Sequence, residues 1–316
     1  MNLKKKILAT ILVGGFIFGG GNSLVTYAAD GLTAFKEAYL AEVINNRAFG
    51  VNADFFGPSY RAELNSRAFI LRDATTQMTG QINWEFTNPA DNQIISENIP
   101  FYVAQDGEIM TMFVRRNGSW SKFNLPAIPV GVANAIKTTD INILQQNMSA
   151  IKSVEVLKDD ADQRIMNISL DGKKLAELLH TYNDANIEKL SQTEKVEQKS
   201  FIDHLADALQ NTDLICAWTV NKHNWQTISA NIDFTKLVQA YGKDYLNDAA
   251  NGEIILSQGD RAFYEVLGYY SELHFVATYN GLTGEDQPSQ PEGASSAKNN
   301  ANVFADLVQK IASTKR

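Results

Sequence analysis

Residues 110–126 read MTMFVRRNGSWSKFNLP, and this stretch decides the fold. Asn117-Gly118 is the strongest short-range signal for a two-residue hairpin, because both residues tolerate a positive φ. Folding the chain there sorts the side chains. Met110, Met112 and Val114 fall on one face with Phe123 and Leu125. Phe113 and Arg115 fall on the other, opposite Lys122 and Trp120. One face is apolar and rich in methionine, and the reverse face interleaves aromatic rings with cations.

Working outward, period-two alternation runs from about Leu64 to Leu125. Met78, Ile82, Trp84 and Phe86 alternate with Thr79, Gln81, Asn83 and Glu85. The turn NPADNQ, a strand from Ile94 to Gln105 and a turn at Asp106-Gly107 lead into the opening hairpin, giving an antiparallel meander. With Asp106-Gly107 as the loop, Val103 faces Met110, Phe101 faces Met112 and Ile99 faces Val114. All six lie on the methionine face, as register requires. Pro100 falls on the reverse face and predicts a bulge or an edge.

Further signals frame the meander. Leu32, Phe35, Tyr39 and Val43 predict an amphipathic helix over 31–47. Residues 130–150 predict helix, with Ile141, Leu144, Met148 and Ile151 as the inner stripe. SVEVLK, DDAD and QRIMNISL read as a second hairpin, and Lys173 to Tyr182 as helix. The polar run 183–200 reads as a solvated helix or excursion, ahead of an amphipathic helix carrying Phe201, Leu205 and Leu209. LICAWTVNK and WQTISANIDF are strands around His223-Asn224, and ELHFVATYNGL is a final strand. Between Gly252 and Tyr270 helix and strand stay open. The composition of 283–300 predicts a flexible linker, and Val303, Phe304, Leu307, Val308 and Ile311 predict a C-terminal amphipathic helix within 301–316.

The chain opens MNLKKKILATILVGGFIFGGGNSLVTYAAD. Three lysines, an apolar run too short for an ordinary membrane span, and small residues at the −3 and −1 positions of Thr26-Tyr27-Ala28 predict a secretory leader over 1–28, with an uncleaved anchor as the other reading. Export, to the periplasm or beyond the cell, follows. Loss of Lys4, Lys5 and Lys6 with the leader takes the net charge from −8 to about −11. That balance argues against nucleic acid or an anionic membrane surface as the main partner. No later stretch is apolar enough to span a bilayer.

Catalytic and metal motifs are sparse. His180, His204, His223 and His274 show no metal-ligand spacing, and no cysteine lies near them in sequence. There is no glycine-rich phosphate loop and no G-x-S-x-G elbow. Cys216, the one cysteine, rules out an internal disulfide and alternates with Leu214 and Trp218 as a buried strand residue does. The residues therefore read as a non-enzyme with no cofactor. A hydrolase whose groups converge from distant positions is the remaining rival.

The element order, with M-T-G-Q-I-N-W-E-F (78–86), F-Y-V-A-Q-D-G (101–107) and R-N-G-S-W-S-K-F (116–123), resembles the lipoprotein-carrier superfamily of LolA-, LppX-, LprG- and RseB-like proteins and secreted proteins grouped with them. The resemblance covers residues 31 to 282. It rests on Tyr102, Asp106-Gly107, Asn117-Gly118 and Trp120-Ser121-Lys122. The polar insert near 183–200, the C-terminal tail and the missing lipobox cysteine depart from the family. The resemblance implies an α+β fold, a curved antiparallel half-barrel with helices in its concave face, formed by one domain over 29–282. It also implies an apolar site lined by Ile82, Trp84, Phe101, Val103, Met110, Met112, Val114 and Phe123, open to a lipid or acylated ligand. An envelope or surface protein-interaction module without lipid, whose sheet or C-terminal helix binds another chain, is the alternative; the linker is long enough for that helix to reach back to the domain or out to an envelope partner. For each lining residue, plain core is the competing role.

Overall fold

A computed structural model describes residues 31–36, 38, 47–57, 60–70, 77–87, 91–106, 109–125, 148–187, 192–225, 227–278, 288–300, 302–307 and 309. The predicted leader and almost all of the predicted helix at 130–150 lie outside them.

The first meander comprises β1 (Arg47–Gly57), β2 (Tyr60–Ile70), β3 (Gln77–Thr87), β4 (Ile94–Asp106), β5 (Ile109–Arg116) and β6 (Ser119–Asn124). The second comprises β7 (Ile151–Asp159), β8 (Gln163–Leu170), β9 (Leu214–Asn221) and β10 (Thr227–Asp233), with α1 (Gly172–Ile187) and α2 (Gln192–Gln210) between β8 and β9. Then come α3 (Thr235–Asn251), α4 (Gln258–Tyr270), β11 (Glu272–Thr278) and the short β12 (Lys298–Asn299). All strands form one 12-stranded sheet, ordered β12-β6-β5-β4-β3-β2-β1-β11-β10-β9-β8-β7. β11 bridges the two meanders by pairing antiparallel with β1 on one side and β10 on the other. Every pairing is antiparallel except β12 on β6.

The sheet is open and covered on one side. A flat sheet of this strand number would run about 50 Å at the usual interstrand spacing. Yet inner-face residues from Leu64 and Phe123 to Val154, Trp218 and Phe275 belong to one core cluster. A half-barrel wrapped round its helices meets that condition, and the α+β expectation holds. Segment 31–38 supplies Phe35, edge-on to Trp218 at 5.4 Å, and Ala34, whose carbonyl accepts from Arg164. Phe201, Ile202 and Leu205 of α2, Leu237 of α3 and Val266 of α4 complete the layer. On the opposite face Ile215 of β9 stays exposed.

The helices have physical starts, stops and seams. Ser257 Oγ accepts from Asp260 N–H to cap α4, and Gly252 ends α3 in the left-handed region. α3 and α4 cross where Gly242 meets Gly268; a Cβ built on Gly242 would lie 2.6 Å from the Gly268 nitrogen. Between α2 and α3, His204 Nδ1 sits 2.7 Å from Asp244 Oδ2. Its ring lies on Tyr245, which in turn stacks on Tyr264.

Several expectations change. Residues predicted as the end of a helix over 31–47 enter β1 at Arg47. Helix fills most of the undecided stretch 252–270, as α4. The described part of the predicted linker, 288–300, is not free. Trp120 Nε1 donates to the Glu292 carbonyl at 3.1 Å, Ala294 is fully buried, and β12 extends β6. Packing on the sheet edge overrides a composition that, alone, reads as disorder.

Candidate functional site

The opening hairpin forms as its sequence dictates. Arg116 pairs with Ser119, and Asn117 and Gly118 adopt φ of 50° and 75°, the two positive values a type I′ turn needs. Met112 pairs with Phe123, and Phe113 with Lys122, so the two faces separate as read. The preceding turn is displaced. Asp106 pairs with Ile109, which sets Val103 against Met112 and Phe101 against Val114 rather than against Met110 and Met112. The loop has moved by one residue, so each partner moves by two. An even shift keeps every side chain on its face, which is why the apolar set survives.

All eight predicted lining residues, Ile82, Trp84, Phe101, Val103, Met110, Met112, Val114 and Phe123, are buried and share one core cluster. Ladder pairs bring them together: Ile82 with Ile99, Met78 with Val103, Val103 with Met112, Met112 with Phe123. Met78, Met110, Met112 and Phe101 are among the largest fully buried side chains of the molecule. Tyr60 stacks on Trp84 at 5.8 Å, and its hydroxyl lies 2.5 Å from Ser271 Oγ. Burial pushes the Tyr60 phenol well above its ordinary range. Trp84 Nε1 is buried with no hydrogen-bond partner among the described residues, a polar atom facing an apolar interior.

Sequence reasoning missed the polar end of this face. Arg116 follows Met110, Met112 and Val114 in the same parity, so its guanidinium turns inward; its side chain is 9% exposed. Nε and Nη2 donate to the two Glu97 oxygens at 2.7 and 2.5 Å. Nη1 and Nη2 donate to the two Asp306 oxygens at 2.7 and 2.9 Å, and Nη1 also donates to the Val303 carbonyl. Hydrogen bonds to Asp306 and then Glu97 hold the guanidinium pKa above its usual value, and the same contact draws the Asp306 carboxyl below its own. The signal was the parity: a cation ending an apolar row points where the row points.

The C-terminal residues close this end. Val303, Phe304 and Leu307 are buried in the core cluster, and Phe304 meets the ring of Phe123. These three apolar side chains are therefore packed against this chain's own sheet.

Elsewhere the chemistry is quiet. The Cys216 thiol is buried, which pushes its pKa up to about 12. Among the described residues no cluster of histidine, cysteine and carboxylates fit to hold a metal occurs, and no helix is long and apolar enough to cross a membrane.

No family model and no curated protein matches this chain. Among solved structures it is similar to the crystal structure of LprF from Mycobacterium bovis, at 7% identity and a TM-score of 0.39, over 84% of this chain and 100% of that one.

Proposed function

We propose that this protein is an exported, non-catalytic carrier or sensor that holds a lipid or acylated ligand against the inner face of β3 to β6. The observation that carries the reading is the continuity of that face. Eight candidate residues from four strands form one apolar surface, and Met78, Met110 and Met112 sit within it. Methionine is unbranched and polarizable, so a surface built on it can repack around chains of different shape. An acyl chain gains roughly 0.8 kcal/mol for each methylene taken out of water, so even a short one binds usefully on such a face. The acidic net charge and the leader-like N-terminus support an envelope or extracellular setting.

The test is organic extraction of the purified mature protein followed by mass spectrometry, beside Met112→Asp as a control. An acyl species recovered near one equivalent from the parent protein is the expected result. Extracts matching a buffer blank, together with failure to bind any added fatty acid, would remove the reading.

A further inference from the structure

We infer that the ligand is an amphiphile with a carboxylate headgroup, which binds Arg116 in place of Asp306 while its hydrocarbon takes the position of Phe304. This rests on the carrier reading and adds the headgroup, its anchor and the segment it displaces. The Arg116 guanidinium faces two carboxylates, one more than its charge balances. Glu97 belongs to the neighbouring strand β4 and neutralises Arg116 within the sheet. Asp306 comes from the C-terminal segment, and its side chain is 54% exposed against 26% for Glu97. The exposed partner is the exchangeable one, because a solvent-screened ion pair is weak. When Asp306 leaves, the Arg116–Glu97 pair keeps the buried charge compensated, and Nη1 and Nη2 each offer a donor to an incoming anion.

The geometry of Asp306 describes what replaces it. Its two oxygens accept from Nη1 and Nη2 in the fork arrangement that guanidinium makes with a planar carboxylate. Beside it, Val303, Phe304 and Leu307 lie in the core, with Phe304 against the lining residue Phe123. Residues 303–307 thus present a carboxylate to the cation and hydrocarbon to the apolar face, as a fatty acid does. Trp84 Nε1, buried without a partner, leaves the same interior one further donor for an oxygen of the ligand.

The experiment is fluorescence titration of the full mature chain with cis-parinaric acid and with its methyl ester. The two probes share a chain and differ in headgroup charge. Asp306→Asn keeps the shape of the segment and removes the competing anion. Its affinity for the acid should rise about tenfold, the worth of one hydrogen bond to a charged group, and the ester should gain as well, because both probes displace the same segment. Arg116→Lys keeps the charge and loses the fork; it should weaken the acid and spare the ester. Equal effects of Arg116→Lys on both probes, or no gain for the acid in Asp306→Asn, would overturn the inference and leave the carrier reading standing. Failure of both probes to bind every protein would overturn the two together.

Discussion

Phe304 sets its ring edge-on against Phe123, with centroids 6.3 Å apart and planes at 88°. One residue belongs to the last described segment, the other to the hairpin from which the fold was read. Their contact makes the C-terminal residues part of the core. Phe304→Ala should therefore cost about 3 kcal/mol in urea unfolding, the low end for a buried phenylalanine because the site lies at a margin that can relax. An unchanged midpoint would mean that the segment rests on the sheet without supporting it.

The two faces of the hairpin should differ sharply in tolerance. Met112 is wholly buried, whereas Lys122 lies on the reverse face. Met112→Asp places a carboxylate in an apolar interior and should cost several kcal/mol. Lys122→Asp should cost less than about 1 kcal/mol. Denaturant unfolding of both variants checks the assignment, and equal tolerance would contradict it.

Acid should release the C-terminal latch. Pairing with Arg116 lowers the Asp306 pKa in the folded state, so its contribution is fully present above the ordinary aspartate range. It disappears as pH falls through the lowered folded value, below about pH 4. Unfolding of the parent and Asp306→Asn at a series of pH values should show a stability difference at pH 7 and 5 that closes towards pH 2. A difference that persists undiminished in acid would show that the carboxylate's charge plays no part.

Cys216 should be silent while the protein is folded. Burial pushes the thiol pKa up to about 12, so almost no thiolate exists at neutral pH. Iodoacetamide at pH 7.5 should label it only in denaturant, with labelling tracking the unfolding curve. Rapid labelling of the native protein would expose an opening that the fold does not contain.

The crossing of α3 and α4 should not accept a methyl group. Gly242→Ala places a Cβ against the Gly268 backbone, where neither helix has a side chain to swing aside. Overpacking of this kind costs typically 1–3 kcal/mol, and thermal unfolding should show the loss.

The sequence was most legible where local chemistry chooses the structure. Asn117-Gly118 fixed its own hairpin, and alternation in β3 told inside from outside without help from the rest of the chain. β1 was harder: Phe49, Val51, Ala53 and Phe55 alternate, but Gly50, Asn52 and Asp54 between them are weak strand formers. Helix α3 has a thin signal of its own: Leu237, Tyr241 and Tyr245 repeat at four-residue spacing directly after the strand that ends near Phe234. The apolar row of the site could be read by parity, and Arg116 with it. Asp306 could not be read, since nothing near position 306 says that the chain returns to β5. Residues 288–300 carry the composition of a linker, and only the indole of Trp120 and the open edge of β6 give them a place.

The seam between β1 and β11 also constrains how this chain must fold. Phe55 pairs with Leu273, so the centre of the sheet joins its earliest strand to its last long one. Each meander can zip up through neighbouring hairpins, but the two halves meet only after nearly the whole chain is present and a very long loop has closed. Contacts so distant in sequence make for slow folding. Until that closure each half carries an unpaired strand edge: β1 in one and β11 in the other, with the apolar inner face uncovered beside them. The partly folded chain is therefore far more exposed to aggregation than the finished one, and its passage through that stage depends on how quickly the seam closes.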